Sequence, residues 1–210
     1  HKFDFMQEIE IIFSIIILIM SVVVHEVSHG YAALFFGDET ARYQGRLTLN
    51  PLKHLDLTGS VIVPLLLIIS GSGFVFGWAK PVPINPYNFR NRKWAEPIVA
   101  MAGPFSNITL AIIFGLLIRF GGYFGLLSPS FLYIAGYVVL INLVLAVFNL
   151  IPIPPLDGSH LLFSILPEKY ARLKETLQRF GFIFILIFII FLWPFVTKYI
   201  FYLASLITGQ

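Results

Sequence analysis

The sequence predicts an all-α polytopic membrane protein with about four transmembrane helices and a re-entrant hairpin that carries short β segments. Of its 210 residues, 58% are hydrophobic and 12% are charged, and the mean hydropathy is +0.86. Soluble domains carry about twice that share of charged residues. Four apolar stretches are each near or above the roughly 20 residues that a helix needs to cross a bilayer. They are residues 9–24 running on to residue 36, residues 98–120, residues 131–151 and residues 180–206.

A fifth apolar stretch, residues 57–69, predicts the hairpin because it is too short for a full span and contains Pro64. A Gly-Ser-Gly break at residues 71–73 follows it and favours a change of direction. Irregular backbone at membrane depth is tolerated where it is buried in protein or lines a watery cavity. We therefore expect residues 57–76 to enter and leave the bilayer by the same face.

The first apolar stretch contains the motif HEVSH, with His25, Glu26 and His29. Positions i and i+4 share one face of a helix, so both imidazoles can hold one zinc ion while Glu26 acts on water beside it. Such polar residues are costly inside a membrane unless they have a partner. The chain has no cysteine, so nitrogen and oxygen atoms must hold the metal. We predict one Zn²⁺ per chain, with a third protein ligand and one position open for water.

Asp157 is the best candidate for the third ligand. No histidine follows His29 at the spacing of the metzincin motif. Glu96 lies at a loop edge, and Glu168 and Glu175 lie in a charged amphipathic stretch. Asp157 instead follows three closely spaced prolines, which must interrupt the helix that precedes them. A broken helix at membrane depth is where a buried metal ligand is expected.

Five segments occur in the order HEVSHG, GRLTLNPLKHLDLTG, GWAKPVPIN, AGPFSN and NLIPIPPLDG. Together they resemble the site-2 protease family of intramembrane zinc metalloproteases, in its minimal prokaryotic form without PDZ or CBS domains. The resemblance spans residues 22–160. It implies that His25, His29 and Asp157 are zinc ligands and that Glu26 is the catalytic glutamate.

The resemblance also implies a zinc-dependent endopeptidase that hydrolyses peptide bonds within or near transmembrane segments of membrane proteins. We expect one domain, residues 1–210, with a core at 9–166 and an extra C-terminal transmembrane helix at 180–206. Its partners are then a transmembrane protein substrate and the lipid bilayer. Lysines and arginines flank the apolar spans, and this distribution argues against a nucleic-acid partner.

The proposed ligands also predict the topology. His25 and His29 lie late in the first span and Asp157 lies just beyond the third, so they meet only if these two spans run in the same direction. A re-entrant fifth stretch satisfies this condition and places most basic residues on one side, which the positive-inside rule makes cytoplasmic. We predict a multi-pass protein of a bacterial or archaeal cell membrane, with the site nearer the cytoplasmic face and both termini outside.

Cleavage of a membrane helix requires that the substrate unwind, and a segment at residues 42–49 is predicted to be extended. An exposed edge there would pair with the substrate as an added strand, and residues 73–83 are a second candidate. An ordinary interfacial loop is the alternative. The predicted pairing residues are Tyr43, Gln44, Gly45, Arg46 and Leu47.

Two asparagines are candidates for binding the substrate backbone or the developing oxyanion. Asn149 lies eight residues before Asp157, and Asn107 follows a Gly-Pro pair. Either amide could instead cap or bridge helices, as membrane asparagines often do. His54 and Asp56 lie in charged surroundings, so we expect structural or surface roles for them rather than metal binding.

Two alternatives to a protease stay open from the sequence. A membrane metal transporter could also carry intramembrane histidine and aspartate residues. However, transporters often show paired repeats, which this sequence lacks, and transport has no use for a glutamate directly after the first ligand. The other alternative is an inactive homologue that binds membrane proteins without cutting them, and the complete ligand set argues against it.

Overall fold

The structure, a computed structural model, describes residues 2–70, 79–125 and 128–209, and no strand occurs in these ranges. The described residues form helices joined by short irregular segments. The α-helices are α1 (Lys2–Phe35), α2 (Thr40–Tyr43), α3 (Val63–Ile69), α4 (Arg92–Gly121), α5 (Pro129–Asn149), α6 (Asp157–Ile165), α7 (Ala171–Ile187) and α8 (Trp193–Thr208). Short 3₁₀ turns occur at Pro51–Lys53, Pro86–Asn88, Gly122–Phe124 and Glu168–Tyr170, and wider π-helical turns at Leu57–Ile62 and Phe188–Leu192.

Four of these helical runs are long and apolar enough to cross a membrane, which confirms the predicted number of spans. They are Ile12–Phe35, Arg92–Gly121, Pro129–Asn149 and Ala171–Thr208. The last run begins earlier than residue 180, because α7 begins at Ala171. The π-helical turn Phe188–Leu192 then joins α7 and α8 into one run. A wider turn accommodates Pro194, whose ring removes one backbone donor from the helix.

The polar contacts between spans fix their relative directions. His29, late in α1, contacts the carbonyl of Val99, early in α4. Ser21, which precedes His29 in α1, accepts a hydrogen bond from Asn107, which follows Val99 in α4. Thus α4 runs antiparallel to α1. Asn142 of α5 also donates to the Ser21 hydroxyl, at 2.9 Å, so α5 lies against both helices.

The main apolar core lies where α4, α5 and α8 meet. Close packing of small residues, rather than exclusion of water, holds helices together in a bilayer. Gly115 shows how close the approach is, because a Cβ added there would lie 2.3 Å from Cγ2 of Ile207 in α8. The buried core residues are Ala111, Ile118, Ala135, Val139, Leu143 and Ile200.

The segment between α1 and α4 begins and ends at the same end of the helix bundle. Arg90 donates its backbone N–H to the Phe36 carbonyl at 2.9 Å. Asp38, which is fully buried, accepts hydrogen bonds from the Asn85 backbone at 2.7 Å and from the Asn88 amide at 2.8 Å. Hydrogen bonds therefore join the two ends of this segment, and the predicted topology requires that both ends lie on the same side of the membrane.

The predicted hairpin within that segment is only partly covered by the described residues. Its first half forms the π-helical turn Leu57–Ile62 followed by α3. Residues 71–78, which include the predicted break and most of the second candidate edge, lie outside the described residues. The hairpin therefore stays a prediction.

The structure differs from the extended edge predicted at residues 42–49. Tyr43 ends the short helix α2, and the backbone N–H groups of Gln44, Gly45 and Arg46 donate to carbonyls three to five residues earlier. Asp38 starts this turn by accepting from the Thr40 N–H, and Gly45, at φ +61°, ends it. The N–H groups of Tyr43, Gln44, Gly45 and Arg46 are therefore already bonded within the chain and do not form the predicted free edge, and Leu47 follows them in a bend.

Asp38 remains ionised despite its burial. Burial alone would raise the pKa of its carboxyl group, but hydrogen bonds from Thr40, Asn85 and Asn88 outweigh that effect and lower the pKa from its ordinary value of 3.8. A lowered pKa in the folded state means that the carboxylate stabilises the fold above the ordinary pKa. This stabilisation is lost as the pH falls through the lowered pKa.

We predict that Asp38→Ala lowers the free energy of unfolding by about 2–4 kcal/mol at neutral pH, because the donors of Thr40, Asn85 and Asn88 lose the buried carboxylate that they share. Unfolding of the purified protein in detergent measures the change. The matched control is Glu39→Ala, since the Glu39 side chain is 42% exposed and pairs with Arg42 at 3.8 Å, a surface contact worth at most about 1 kcal/mol.

The difference between wild type and Asp38→Ala should shrink as the pH falls below 3.8. Equal stability of the two proteins at neutral pH would contradict the role given to Asp38.

Candidate metal centre

Three predicted ligands meet in the structure, two from α1 and one from the start of α6. His25 Nε2 lies 3.0 Å from Asp157 Oδ2, His29 Nε2 lies 3.3 Å from the same oxygen, and the two Nε2 atoms are 3.0 Å apart. Two zinc ligands of a tetrahedral site are separated by about 3.3 Å. The three atoms therefore form a triangle of the size that one zinc ion requires.

Each imidazole is held by its other ring nitrogen. His25 Nδ1 lies 2.6 Å from Asn107 Oδ1, and His29 Nδ1 lies 2.7 Å from the Val99 carbonyl oxygen. Both partners are acceptors, so each Nδ1 carries the proton and each Nε2 keeps its lone pair. Such contacts orient metal-binding histidines and fix their tautomer.

The position of Asn107 differs from the predicted substrate contact. Asn107 is fully buried behind His25, and its amide also donates to Asn142 at 2.8 Å and to the Ser21 carbonyl at 3.3 Å. With both amide atoms bonded in this way, Asn107 orients His25. Asn142, which sequence reasoning missed, completes the chain of contacts, and an asparagine in the middle of an apolar span was the available signal.

Gly103 of α4 faces the ligand atoms directly. A Cβ added there would lie 2.4 Å from His29 Nε2 and 2.5 Å from His25 Nε2. The glycine thus leaves open the space beside the two donor atoms, and the donor set and the space fit a zinc ion. Sequence reasoning did not assign this role, although a glycine inside a helix usually has a packing or functional reason.

Asp157 reaches the histidines because the chain folds back after α5. α5 ends at Asn149, and the proline-containing loop returns so tightly that a Cβ at Gly158 would lie 2.2 Å from the Leu150 carbonyl oxygen. Gly181 of α7 packs on the other side, where a Cβ would lie 2.2 Å from the Pro154 carbonyl oxygen. The loop that leads into Asp157 therefore packs against both α6 and α7.

The carboxylate of Asp157 is mostly buried against the imidazoles of His25 and His29. The Asp157 side chain is 21% exposed, against 7% for His25 and 8% for His29. The site is therefore most open on the aspartate side.

Glu26 is held by the backbone of another segment. The Val82 N–H donates to Glu26 Oε2 at 2.8 Å, and among the described residues no hydrogen bond is made to Oε1. Glu26 is not one of the three clustered ligands, so it is available for proton transfer. Glu26 follows His25 directly in α1.

The remaining predicted site residues lie outside the ligand group. Asn149 donates its amide to the Leu145 carbonyl at 3.0 Å, and a role in binding the substrate stays a prediction. His54 is buried, and its Nε2 lies 2.9 Å from the Thr48 carbonyl oxygen. This contact fits the structural role expected for His54.

Comparison with known proteins agrees with this site. Residues 123–188 match the family described as Peptidase family M50. YwhC of Bacillus subtilis, named as a zinc metalloprotease, is 38% identical over 191 residues, which cover 86% of this chain and 84% of YwhC. Rip2 of Mycolicibacterium smegmatis, named likewise, is 33% identical over 82% of this chain and 64% of Rip2. No solved structure gives a significant match.

Membrane-length helices that bury a group of two histidines and an aspartate define a polytopic membrane protein with a metal centre. The match to YwhC over most of both chains then shows the family: the chain belongs to peptidase family M50, the site-2 protease family. The resemblance found in the sequence is thereby confirmed. Zinc is the metal that this family of metalloproteases implies, and the residues present fit it.

We predict that Gly103→Ala lowers zinc affinity about 10-fold or more, because the new methyl group overlaps both Nε2 atoms and forces the imidazoles apart. Titration of the metal-free protein with zinc in competition with a chelator measures the affinity. Gly136→Ala is the matched control, since Gly136 lies in α5 with no atom within 4 Å of an added Cβ. Equal affinities for the two variants would contradict the role of Gly103.

Proposed function

We propose that this protein is a zinc-dependent intramembrane endopeptidase that hydrolyses peptide bonds within or near transmembrane segments of other membrane proteins. The observation that carries the proposal is the position of the site. His25 and His29 lie within the run Ile12–Phe35, which is long and apolar enough to cross a bilayer, and Glu26 lies between them. A metal site built for hydrolysis inside such a helix suits a substrate that is itself in the membrane.

The chain supplies the metal ligands through His25, His29 and Asp157. Zinc at this position supplies Lewis acidity, which polarises the scissile carbonyl and lowers the pKa of water. The protein holds the imidazoles in the tautomer that leaves each Nε2 lone pair available to the metal. The site therefore needs little rearrangement to accept the metal.

Glu26 is the general base in this proposal. Its Oε2 is held by the Val82 N–H, whereas Oε1 is available to take a proton from the attacking water. The same carboxyl group then gives the proton to the leaving amine when the peptide bond breaks. These two proton transfers need no titratable side chain other than Glu26 at the reacting atoms.

The substrate must lose its own helical hydrogen bonds before it can be cut, because they shield the peptide group together with the lipid. Asn149 lies at the end of α5, next to the loop that carries Asp157, and its amide is suited to bind the exposed substrate backbone. We propose this contact for Asn149. A transmembrane protein and the surrounding bilayer are thus the partners of the chain.

Glu26→Gln should retain zinc and lose cleavage, because the amide keeps the shape of the side chain but cannot take a proton. His25→Ala should lose zinc as well, and His160→Ala, on the exposed face of α6, should keep both zinc and activity. Zinc content by mass spectrometry and cleavage of a defined transmembrane substrate in detergent measure these outcomes. Cleavage by Glu26→Gln at the wild-type rate would exclude the assignment. Zinc binding without any Glu26-dependent cleavage would favour a transporter or an inactive homologue.

We also propose that the site lies nearer the cytoplasmic face, with both termini outside. The chain has no cysteine, so single cysteines can test this directly. Tyr87 lies at the site end of the bundle and Tyr123 at the opposite end, and each is 84% exposed. A membrane-impermeant thiol reagent should label Tyr123→Cys in intact cells and Tyr87→Cys only after permeabilisation. The reverse pattern would contradict the orientation.

A further inference from the structure

Arg46 is a buried cation without a carboxylate partner among the described residues. Arg46 is 6% exposed, and no ion pair that includes it occurs in the described ranges. Its Nη2 donates instead to two backbone carbonyls, of Lys80 at 2.7 Å and of Pro81 at 3.2 Å. Burying a guanidinium is costly unless the charge is compensated, so the position of this residue requires a reason.

The Pro81–Val82 peptide unit connects Arg46 to Glu26. The carbonyl of this unit accepts from Arg46, and its N–H donates to Glu26 Oε2 at 2.8 Å. In a trans peptide the C=O and N–H groups point in opposite directions, so one side chain lies on each side of the same unit. The order is therefore cation, peptide dipole, carboxylate.

This order is electrostatically favourable in two ways. The guanidinium polarises the carbonyl, which makes the N–H of the same peptide a stronger donor to the carboxylate. The negative end of the peptide dipole faces Arg46 and its positive end faces Glu26. The negative charge of Glu26 therefore offsets the positive charge of Arg46 across the peptide, although the two side chains do not form an ion pair. Arg46 and Val82 are both buried, which limits the screening of these interactions by water.

We propose that Arg46 is a positioning residue for Glu26. It fixes the Pro81–Val82 peptide so that the Val82 N–H holds Oε2 and leaves Oε1 for proton transfer. This role rests on the proposed function of Glu26 as the general base. It assigns a function to the arginine of the GRLTLNP segment that does not depend on pairing with a substrate strand.

Other contacts keep this segment attached independently of Arg46. The Lys80 N–H donates to the His54 carbonyl at 2.9 Å. Leu47 and Val82 both pack over Gly30 of α1, where an added Cβ would lie 2.5 Å and 3.0 Å from their side chains. Removal of the Arg46 side chain should therefore free the peptide to rotate without detaching the segment.

The test compares wild type with Arg46→Met, Arg46→Lys and the control Arg42→Met. Arg42 is exposed, and within the described ranges its side chain makes one ion pair, with Glu39 at the surface. Arg46→Met should bind one zinc per chain, as wild type does, while kcat for a defined transmembrane substrate falls about 10- to 100-fold with little change in KM. Arg46→Lys should recover part of kcat, since a lysine keeps the charge beside the carbonyls, and Arg42→Met should match wild type.

Hydrogen exchange gives a readout that does not depend on activity. Pro81 and Pro83 have no N–H, so the Val82 amide is easily resolved between Lys80 and Ile84. It should exchange about tenfold faster or more in Arg46→Met and in Glu26→Ala than in wild type, and at the wild-type rate in Arg42→Met. Exchange at Lys80 should change less.

Unchanged Val82 exchange in Arg46→Met would overturn the proposal, and so would loss of zinc in both Arg46 variants or an equal loss of kcat in Arg42→Met. If wild type cleaves no substrate, the proposed function fails, but hydrogen exchange still decides whether Arg46 positions Glu26 through the Val82 amide.

Discussion

Asp157 and the two imidazoles of α1 form the contact on which the rest of the structure depends. It brings together residues 132 positions apart in the chain, and α1 and α5 must end at the same end of the bundle for it to form. The polar chain behind it follows the same logic, because His25, Asn107, Asn142 and Ser21 satisfy one another inside an apolar bundle. A polar group without a partner would be costly at this depth. Chemistry and topology are therefore set by one group of interactions.

The ligands and spans could be predicted because their signals are local. Helical periodicity places His25 and His29 on one face, and proline geometry ends α5 before Asp157 without reference to any distant residue. The four spans follow from apolar length alone. In a bilayer each spanning segment must satisfy its own backbone hydrogen bonds, so local patterns in the sequence predict most of the helical architecture.

The differences arise where distant contacts decide the outcome. Residues 42–49 include β-forming residues, but Asp38 starts a helical turn there and is itself held by groups that lie up to 50 positions away. Asn107 could face a substrate or another helix, and only the packing of α4 against α1 decides between them. The role of Gly103 could not be predicted from the sequence, because it depends on the lack of a side chain beside two nitrogen atoms that belong to another helix.

Gly181 brings the C-terminal helix into close contact with Pro154, in the loop before Asp157. α7 and α8 form one continuous rod of 38 residues, about 57 Å long if fully helical. Near its beginning the rod presses on the loop that carries Asp157, and near its far end the Leu206 carbonyl accepts a hydrogen bond from Arg119. The last helix thus packs directly against the loop that leads into the metal ligand Asp157, although it contributes no atom to the group of His25, His29 and Asp157.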